Sequence, residues 1–398
     1  MPVASSHGHI ADGAGLGAAL RSARMPRTGH VGARPRSTIA VMEAFTGTRP
    51  LAQPLDTAAL EAWLSAHVDG FAGPLEVEQF KGGQSNPTYL LKTPGAQYVM
   101  RSKPGPVAKL LPSAHAIERE FQVMGALAGT DVPVPTMHAL CEDEAVIGRA
   151  FYVMQFMPGR VLWDQSLPGM ANAERAAHYD EMNRVIAALH QVDFKARGLE
   201  AYGKPGNYFE RQIGRWSKQY LASVTEPNPA MDSLLAWLPA HIPASARDES
   251  EVGIVHGDYR MDNVVFHPTE PRIIAVLDWE LSTLGHPLAD FSYHCMSWHI
   301  QTSGAARGLG GRNLAELGIP SEREYVQRYC ERTGRADVSA VMADWNFYMA
   351  YNMFRIAAIV QGIAKRVVDG TASSAQAKET AKTARPLAEL AWSFAQKA

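Results

Sequence analysis

The chain reads as an α+β protein in two parts, a small β-rich N-terminal lobe and a larger, mainly helical C-terminal lobe. Three observations point there. Between residues 75 and 101 short runs rich in β-branched and aromatic residues alternate with turn formers, whereas beyond residue 172 apolar positions recur about every 3.6 residues. Between these regimes a loop runs into Val264-Val265-Phe266 and Ile273 to Leu277, two β-branched runs separated by His267-Pro268-Thr269-Glu270-Pro271, which reads as a hairpin.

Taken in order, Leu75 to Phe80 alternates and enters Lys81-Gly82-Gly83-Gln84-Ser85-Asn86-Pro87, after which Thr88 to Lys92 is again strand-like. This predicts a strand, a glycine turn and a strand. Glycines let backbone N–H groups approach a phosphate where a Cβ would clash, although the same residues also form plain hairpin turns. A third strand, Tyr98-Val99-Met100-Arg101, puts Val99 and Arg101 on one face by alternation. A helix signalled by Ser113 and by periodic Ile117, Phe121, Met124 and Leu127 offers Glu118 or Glu120 as a partner for Arg101, with Lys103 as the alternative cation. The run Ala150 to Met157 reads as a buried strand ended by Pro158-Gly159. Helices are expected over Ala173 to His190, Tyr208 to Leu221, Met231 to Leu238 and Val338 to Arg366.

The most informative stretch is His256-Gly257-Asp258-Tyr259-Arg260-Met261-Asp262-Asn263, followed across the hairpin by Asp278-Trp279-Glu280. Phosphoryl transfer needs a carboxylate to orient the attacking hydroxyl and oxygen ligands to hold Mg²⁺ on the phosphates. The order Asp, four residues, Asn, hairpin, Asp supplies all three, because the hairpin folds Asp278 back beside the loop. Each triplet alone also reads as a turn or a helix cap.

This stretch resembles the catalytic core of the aminoglycoside phosphotransferase family, itself similar to protein kinases with their His-Arg-Asp and Asp-Phe-Gly. The resemblance implies a protein-kinase-like two-lobed fold using ATP and Mg²⁺. Asp258 would be the catalytic base or hydroxyl orienter, Asn263 and Asp278 the Mg²⁺ ligands, and His256 a buttress of the loop. Gly82, Gly83, Ser85 and Asn86 would cover the nucleotide phosphates, Val99 the adenine, and Arg101 would stand where kinases carry lysine, paired with Glu120. A guanidinium there is tolerable but not neutral. Backbone groups near Gln155 and Met157 would form the hinge. Asp290 would brace the catalytic loop, and it also suits a helix N-cap. The implied organisation is an extension over 1–41, a nucleotide-binding lobe over 42–157, and a lobe carrying the catalytic loop and acceptor site over 158–398.

Protein kinases place a long segment after the metal-binding Asp; here Gly285-His286-Pro287 follows Asp278 closely, leaving no platform for a peptide. The acceptor is therefore expected to be a small hydroxyl compound. The phrases Gly82 to Tyr89, Gly129-Thr130-Asp131-Val132-Pro133-Val134-Pro135 and Phe354-Arg355-Ile356-Ala357 are most similar to the phosphotransferase domain found fused to acyl-CoA dehydrogenases. That context implies a hydroxyacyl-CoA or related hydroxy acid. Candidate acceptor residues are Arg260, Trp298 and Arg355; an arginine on an apolar helix face wants an anion or a buried Asp. Trp345, Tyr348, Tyr351 and Phe354 recur at helical spacing and read first as core. The rival expectation, raised by Arg101, is a nucleotide-binding module without kinase activity.

Composition bounds the rest. With 398 residues, 46% hydrophobic and 20% charged, there is length for two lobes around a cleft. A net charge of −2 argues against a broad nucleic-acid surface. Cys141, Cys295 and Cys330 show no paired spacing, which predicts neither disulfides nor a zinc site and fits a reducing, cytoplasmic compartment. No apolar run approaches the ~20 residues of a membrane span. Residues 1–41 carry five arginines against the single acid Asp12 and read as a disordered extension or as an organelle-targeting leader.

Overall fold

The computed structural model describes residues 47–81, 86–104, 116–204, 206–248, 250–302, 308–372 and 375–398. Gly82, Gly83 and Ser85 of the expected phosphate-covering turn, and Ser113 of the expected helix start, lie outside the described residues.

Among those residues one antiparallel sheet of six strands forms the N-terminal lobe: β1 (Thr48–Arg49), β2 (Glu76–Phe80), β3 (Thr88–Lys92), β4 (Gln97–Ser102), β5 (Met137–Cys141) and β6 (Phe151–Gln155), in the order β1-β2-β3-β4-β6-β5. Alternation along β4 decides what each face meets. Tyr98 and Met100 join a cluster with Leu60 and Leu64 of helix α1 (Thr57–His67), which Asp56 caps by accepting from the Ala59 N–H. Val99 turns the other way and packs with Val123 and Met124 of α2 (Ile117–Leu127). That second face opens toward the helical lobe. Arg119 of α2 spans the two lobes, donating to the carbonyls of Tyr202 and Ser282 and lying over the Tyr202 ring.

The C-terminal lobe holds α3 (Asn172–His190), α4 (Tyr208–Ser223), α5 (Pro229–Ala240), α6 (Pro287–Cys295), α7 (Leu314–Leu317), α8 (Glu322–Arg332), α9 (Val338–Ala343), α10 (Trp345–Val368), α11 (Ala375–Ala381) and α12 (Ala384–Ala395). The stretch expected as one helix from Val338 to Arg366 is two. Asp344 ends α9 and begins α10 with φ −94° and ψ 1°, and its carboxylate accepts from the Ser245 hydroxyl. A short acidic side chain with a partner outside the helix competes with helical continuation. The aromatics of α10 are core as expected, with Tyr348, Tyr351 and Phe354 fully buried. Among the described residues no helix is long and apolar enough to cross a membrane.

Two small antiparallel pairs lie at the junction: β7 (Gly253–Val255) with β10 (Thr283–Gly285), and β8 (Val264–Phe266) with β9 (Ile273–Val276). The β8–β9 hairpin is the one expected from sequence. The chain leaving β6 lies flat on it: Arg160 bridges Phe266, and a Cβ on Gly159 would sit 2.3 Å from the Phe266 carbonyl oxygen. Glycine is required there by close approach.

Candidate active site

The loop from β7 to β8 is fixed from below. The His256 ring accepts from the Asp258 N–H at one nitrogen (3.1 Å) and donates to the Leu277 carbonyl at the other (2.9 Å), tying the loop to the end of β9. Asp290, in the first turn of α6, accepts from the N–H groups of His256 (2.7 Å) and Gly257 (2.8 Å) and from His190 (3.2 Å). Burial alone would raise the Asp290 carboxyl. The hydrogen bond and charge of His190, with those of His256, outweigh it and hold the group below its ordinary range. Asp290 thus braces the loop, and the N-cap of α6 is His286, whose side chain accepts from the Leu288 N–H. Gly257 takes φ +82°, and a Cβ there would stand 2.7 Å from the Leu281 carbonyl oxygen.

On this support Asp258 and Asn263 meet directly. Asn263 Nδ2 donates to Asp258 Oδ2 and to the Asp258 carbonyl, both at 2.8 Å. With its amide hydrogens so committed, Asn263 keeps its Oδ1, the atom a hard cation would take. The Asn263 carbonyl also accepts from the Leu277 N–H at 2.8 Å, which sets the residue before Asp278 against the loop. Asp278 itself adopts the left-handed conformation, φ +65° and ψ 59°, a region Asp tolerates better than most residues. Its side chain is about one third exposed.

Arg101 reaches Asp278 from the opposite lobe, with Nη2 2.7 Å from Asp278 Oδ1, Nε 3.3 Å from Glu120 and Nη2 3.5 Å from Glu280. Glu120 is fully buried and accepts from Asn86 Nδ2 and the Tyr152 hydroxyl, each at 3.2 Å. Burial pushes its carboxyl up to about 7 against the opposing pull of Arg101. Burial also works against the Arg101 charge, but Glu120 and Asp278 together hold that guanidinium protonated. Of the two acids open in the sequence, Glu120 meets Arg101 and Glu118 meets Lys103.

The remaining candidates scatter. Val99 is buried on the cleft-facing side of β4. Gln155 ends β6 with its N–H donated to the Thr136 carbonyl at 2.8 Å, so that amide is already committed, and Met157 lies two residues further on, half-buried. Arg260 forks onto Asp262 and stands 4.0 Å from Asp258 Oδ1 with its side chain half exposed. Two acceptor candidates need correction. Trp298 is 6% exposed, its indole N–H donates to the Pro320 carbonyl and its ring packs on Tyr179 and Tyr325, so it belongs to the core. Arg355 makes no ion pair with a carboxylate among the described residues; Nη2 donates to the Gly257 carbonyl at 2.6 Å, its guanidinium lies over the rings of Tyr293 and Trp216, and Asp258, beyond ion-pair distance, still favours its charge. A carbonyl and two π faces replace the carboxylate.

Tyr293 is the residue that motif reading misses. Its hydroxyl donates to Asp258 Oδ1 at 2.5 Å. The available signal was its spacing, three residues after Asp290 on α6 and so on the same helix face as the loop brace. Among the described residues no cluster of three or more His, Cys, Asp or Glu side chains is placed to hold a metal. A cation held by one amide, one carboxylate, phosphates and water needs no such cluster.

Residues 76–325 match the sequence model of the phosphotransferase enzyme family named APH. Mouse acyl-CoA dehydrogenase family member 10 is 45% identical over 379 residues, covering 92% of this chain and 34% of that protein. Rat acyl-CoA dehydrogenase family member 11 is 42% identical over 338 residues, covering 84% of this chain and 42% of that protein. The chain therefore spans well under half the length of these curated relatives. A crystal structure from Ralstonia eutropha JMP134, provisionally named an aminoglycoside phosphotransferase, is 65% identical, with a TM-score of 0.79 over 86% of this chain and 99% of that one. Choline kinase from Cryptosporidium parvum shares the fold at 12% identity, with a TM-score of 0.59 over 84% of this chain and 95% of that one. The architecture is accordingly the kinase-like one, a β-rich lobe over a helical lobe, and the chain belongs to the phosphotransferase enzyme family.

Proposed function

We propose that this protein transfers the γ-phosphoryl group of ATP, with Mg²⁺, to the hydroxyl of a small molecule, and that the acceptor is a hydroxyacyl-CoA or a related hydroxy acid. The observation that carries this reading is the pairing of Asp258 with Asn263, whose carbonyl accepts from the Leu277 N–H next to Asp278, on a loop fixed by His256 and Asp290. Asp258 orients the acceptor hydroxyl and takes up its proton as the oxygen attacks phosphorus. Asn263 Oδ1 and an Asp278 carboxylate oxygen would hold Mg²⁺, which when bound neutralises charge on the phosphates. Arg101 sits where it can serve phosphate oxygens while Glu120 holds it in place. Arg260, half exposed and 4.0 Å from Asp258 Oδ1, suits an anionic group on the acceptor.

The nucleotide lobe is taken as 42–157 and the acceptor lobe as 158–398. After Asp278 only a 3-10 turn at Trp279–Leu281 and β10 precede α6, which favours a small acceptor over a peptide. The acyl-thioester class rests on the acyl-CoA dehydrogenase names of the relatives, which also resemble this chain in sequence. The free, buried state of Cys141, Cys295 and Cys330 supports a reducing, cytoplasmic setting.

The test is Mg²⁺-dependent ATP consumption against a panel of hydroxy acids and hydroxyacyl-CoA thioesters, with simple alcohols and aminoglycosides as comparison. Phosphorylated product from the acyl class supports the reading. Product from alcohols alone overturns the acceptor class, and nucleotide binding without turnover on any acceptor favours a non-catalytic module. The contact of Arg101 with Asp278 Oδ1 is the observation behind that second reading, since it occupies one of the two carboxylate oxygens that could take a metal.

A further inference from the structure

Asp258 is held on both of its oxygens, and only one of the holders belongs to the motif. Asn263 donates to Oδ2, while Tyr293, from a different element, donates to Oδ1. A terminal carboxylate torsion is otherwise broad, so two donors on opposite oxygens fix its plane. Each oxygen retains a further lone pair for a third donor. The side chain is about one quarter exposed, so the carboxylate is not sealed from solvent.

Tyr293 is itself fixed from behind. It is 4% exposed, and the Arg355 guanidinium carbon lies 4.9 Å from its ring centroid. The same guanidinium donates to the carbonyl of Gly257, the residue before Asp258. Arg355 is 6% exposed, no carboxylate among the described residues lies within ion-pair distance, and its Nε has no hydrogen-bond partner among them. An unpaired buried cation is costly, and an apolar side chain would fill this helix face more cheaply. Its contacts are the loop carbonyl and aromatic rings, one of which carries the hydroxyl on Asp258.

We propose that Tyr293, backed by Arg355, is a positioning residue for phosphoryl transfer, holding the Asp258 carboxylate in the plane that presents a lone pair to the acceptor hydroxyl. The role rests on the reading of Asp258 given above. It concerns the orientation of the attacking group and not the nucleotide, so its loss acts on kcat and spares ATP binding.

The experiment is a double-mutant cycle in the full chain, measuring steady-state transfer from MgATP to 3-hydroxybutyryl-CoA and to water. Tyr293→Phe keeps the ring under Arg355 and removes only the hydroxyl. It is expected to lower kcat by about 10- to 100-fold with KM for ATP within about twofold. In an Asp258→Ala background the same substitution is expected to change the residual rate by less than about twofold, because the partner is gone. Site-specific 3-fluorotyrosine at 293 retains the hydroxyl and is expected to stay within about threefold of wild type. Should Y293F lose the wild-type melting transition, Arg355→Lys carries the same cycle.

Wild-type turnover in Y293F, or an equal loss with and without Asp258, overturns the positioning role and leaves the phosphotransferase reading standing. Full turnover in the Asp258→Ala variant, or no MgATP-dependent transfer by the wild-type chain to any acceptor of the panel above, overturns both.

Discussion

Arg101 Nη2 lies 2.7 Å from Asp278 Oδ1, joining the third long strand of one lobe to the end of the hairpin in the other. The same guanidinium touches buried Glu120, so one side chain senses both walls of the cleft. Arg101→Ala is expected to lower kcat/KM for ATP by about 100-fold or more. Without its counter-charge the Glu120 carboxyl, already raised to about 7, should stay protonated at neutral pH, and the lost contact should cost the fold about 1–3 kcal/mol. Steady-state kinetics with ATP varied and denaturant melts read the two effects separately. Arg101→Lys is expected to fall between, since an ammonium cannot fork onto both acids.

Gly257→Ala tests the loop backbone. At φ +82° an added Cβ is strained and also meets the Leu281 carbonyl oxygen at 2.7 Å. The expected cost is about 1–3 kcal/mol in denaturant melts, with turnover lost because the displaced residue donates its N–H to Asp290 and offers its carbonyl to Arg355.

Asp290→Ala tests the brace. It leaves the N–H groups of His256 and Gly257 buried without acceptors, at about 1–3 kcal/mol each. Asp290→Asn retains one acceptor oxygen and should recover part of the loss. Amide hydrogen exchange at 256 and 257 checks this directly, and unchanged protection in the alanine variant would contradict the role.

Acid stability should depend on two buried histidines. Burial depresses the His286 and His294 imidazoles to about 4, below the ordinary value near 6.5. The unfolded chain therefore binds protons that the folded chain refuses. Their contribution is fully present above about pH 6.5 and is lost as pH falls toward about 4, on the order of 3 kcal/mol for each group. His294→Gln is expected to flatten the fall in stability between those limits, measured as denaturant midpoint against pH. An unchanged slope would show that His294 is not the titrating group.

Much of the site was legible because it is local. Asp258 and Asn263 are five residues apart, and Asp278 returns by a hairpin whose two strands and turn are written in β-branched runs and prolines, so spacing alone implies convergence. Glu120 against Arg101 was readable as a choice between two acids but not as an outcome, because helix phase relative to the sheet is a tertiary fact. Asp56 with Leu60 and Leu64 carries the signature of α1, yet no site motif drew attention to it, and β5 has too few β-branched residues to stand out. Tyr293 and Arg355 were hidden for a different reason. Their partners are 35 and 98 residues away and include a backbone carbonyl, which leaves no compositional trace. Trp298 misled because a tryptophan near a cleft in sequence can satisfy its N–H on a core carbonyl as readily as on a ligand.

The most direct measurement compares wild-type and Asp258→Ala chains for MgATP-dependent transfer and for ATP affinity in the same preparation. The expected result is a fall in turnover of at least about 1,000-fold with the nucleotide dissociation constant within a few-fold of wild type. Equal turnover by the two proteins would contradict the account, because the carboxylate held by Asn263 and Tyr293 would then have no part in the chemistry.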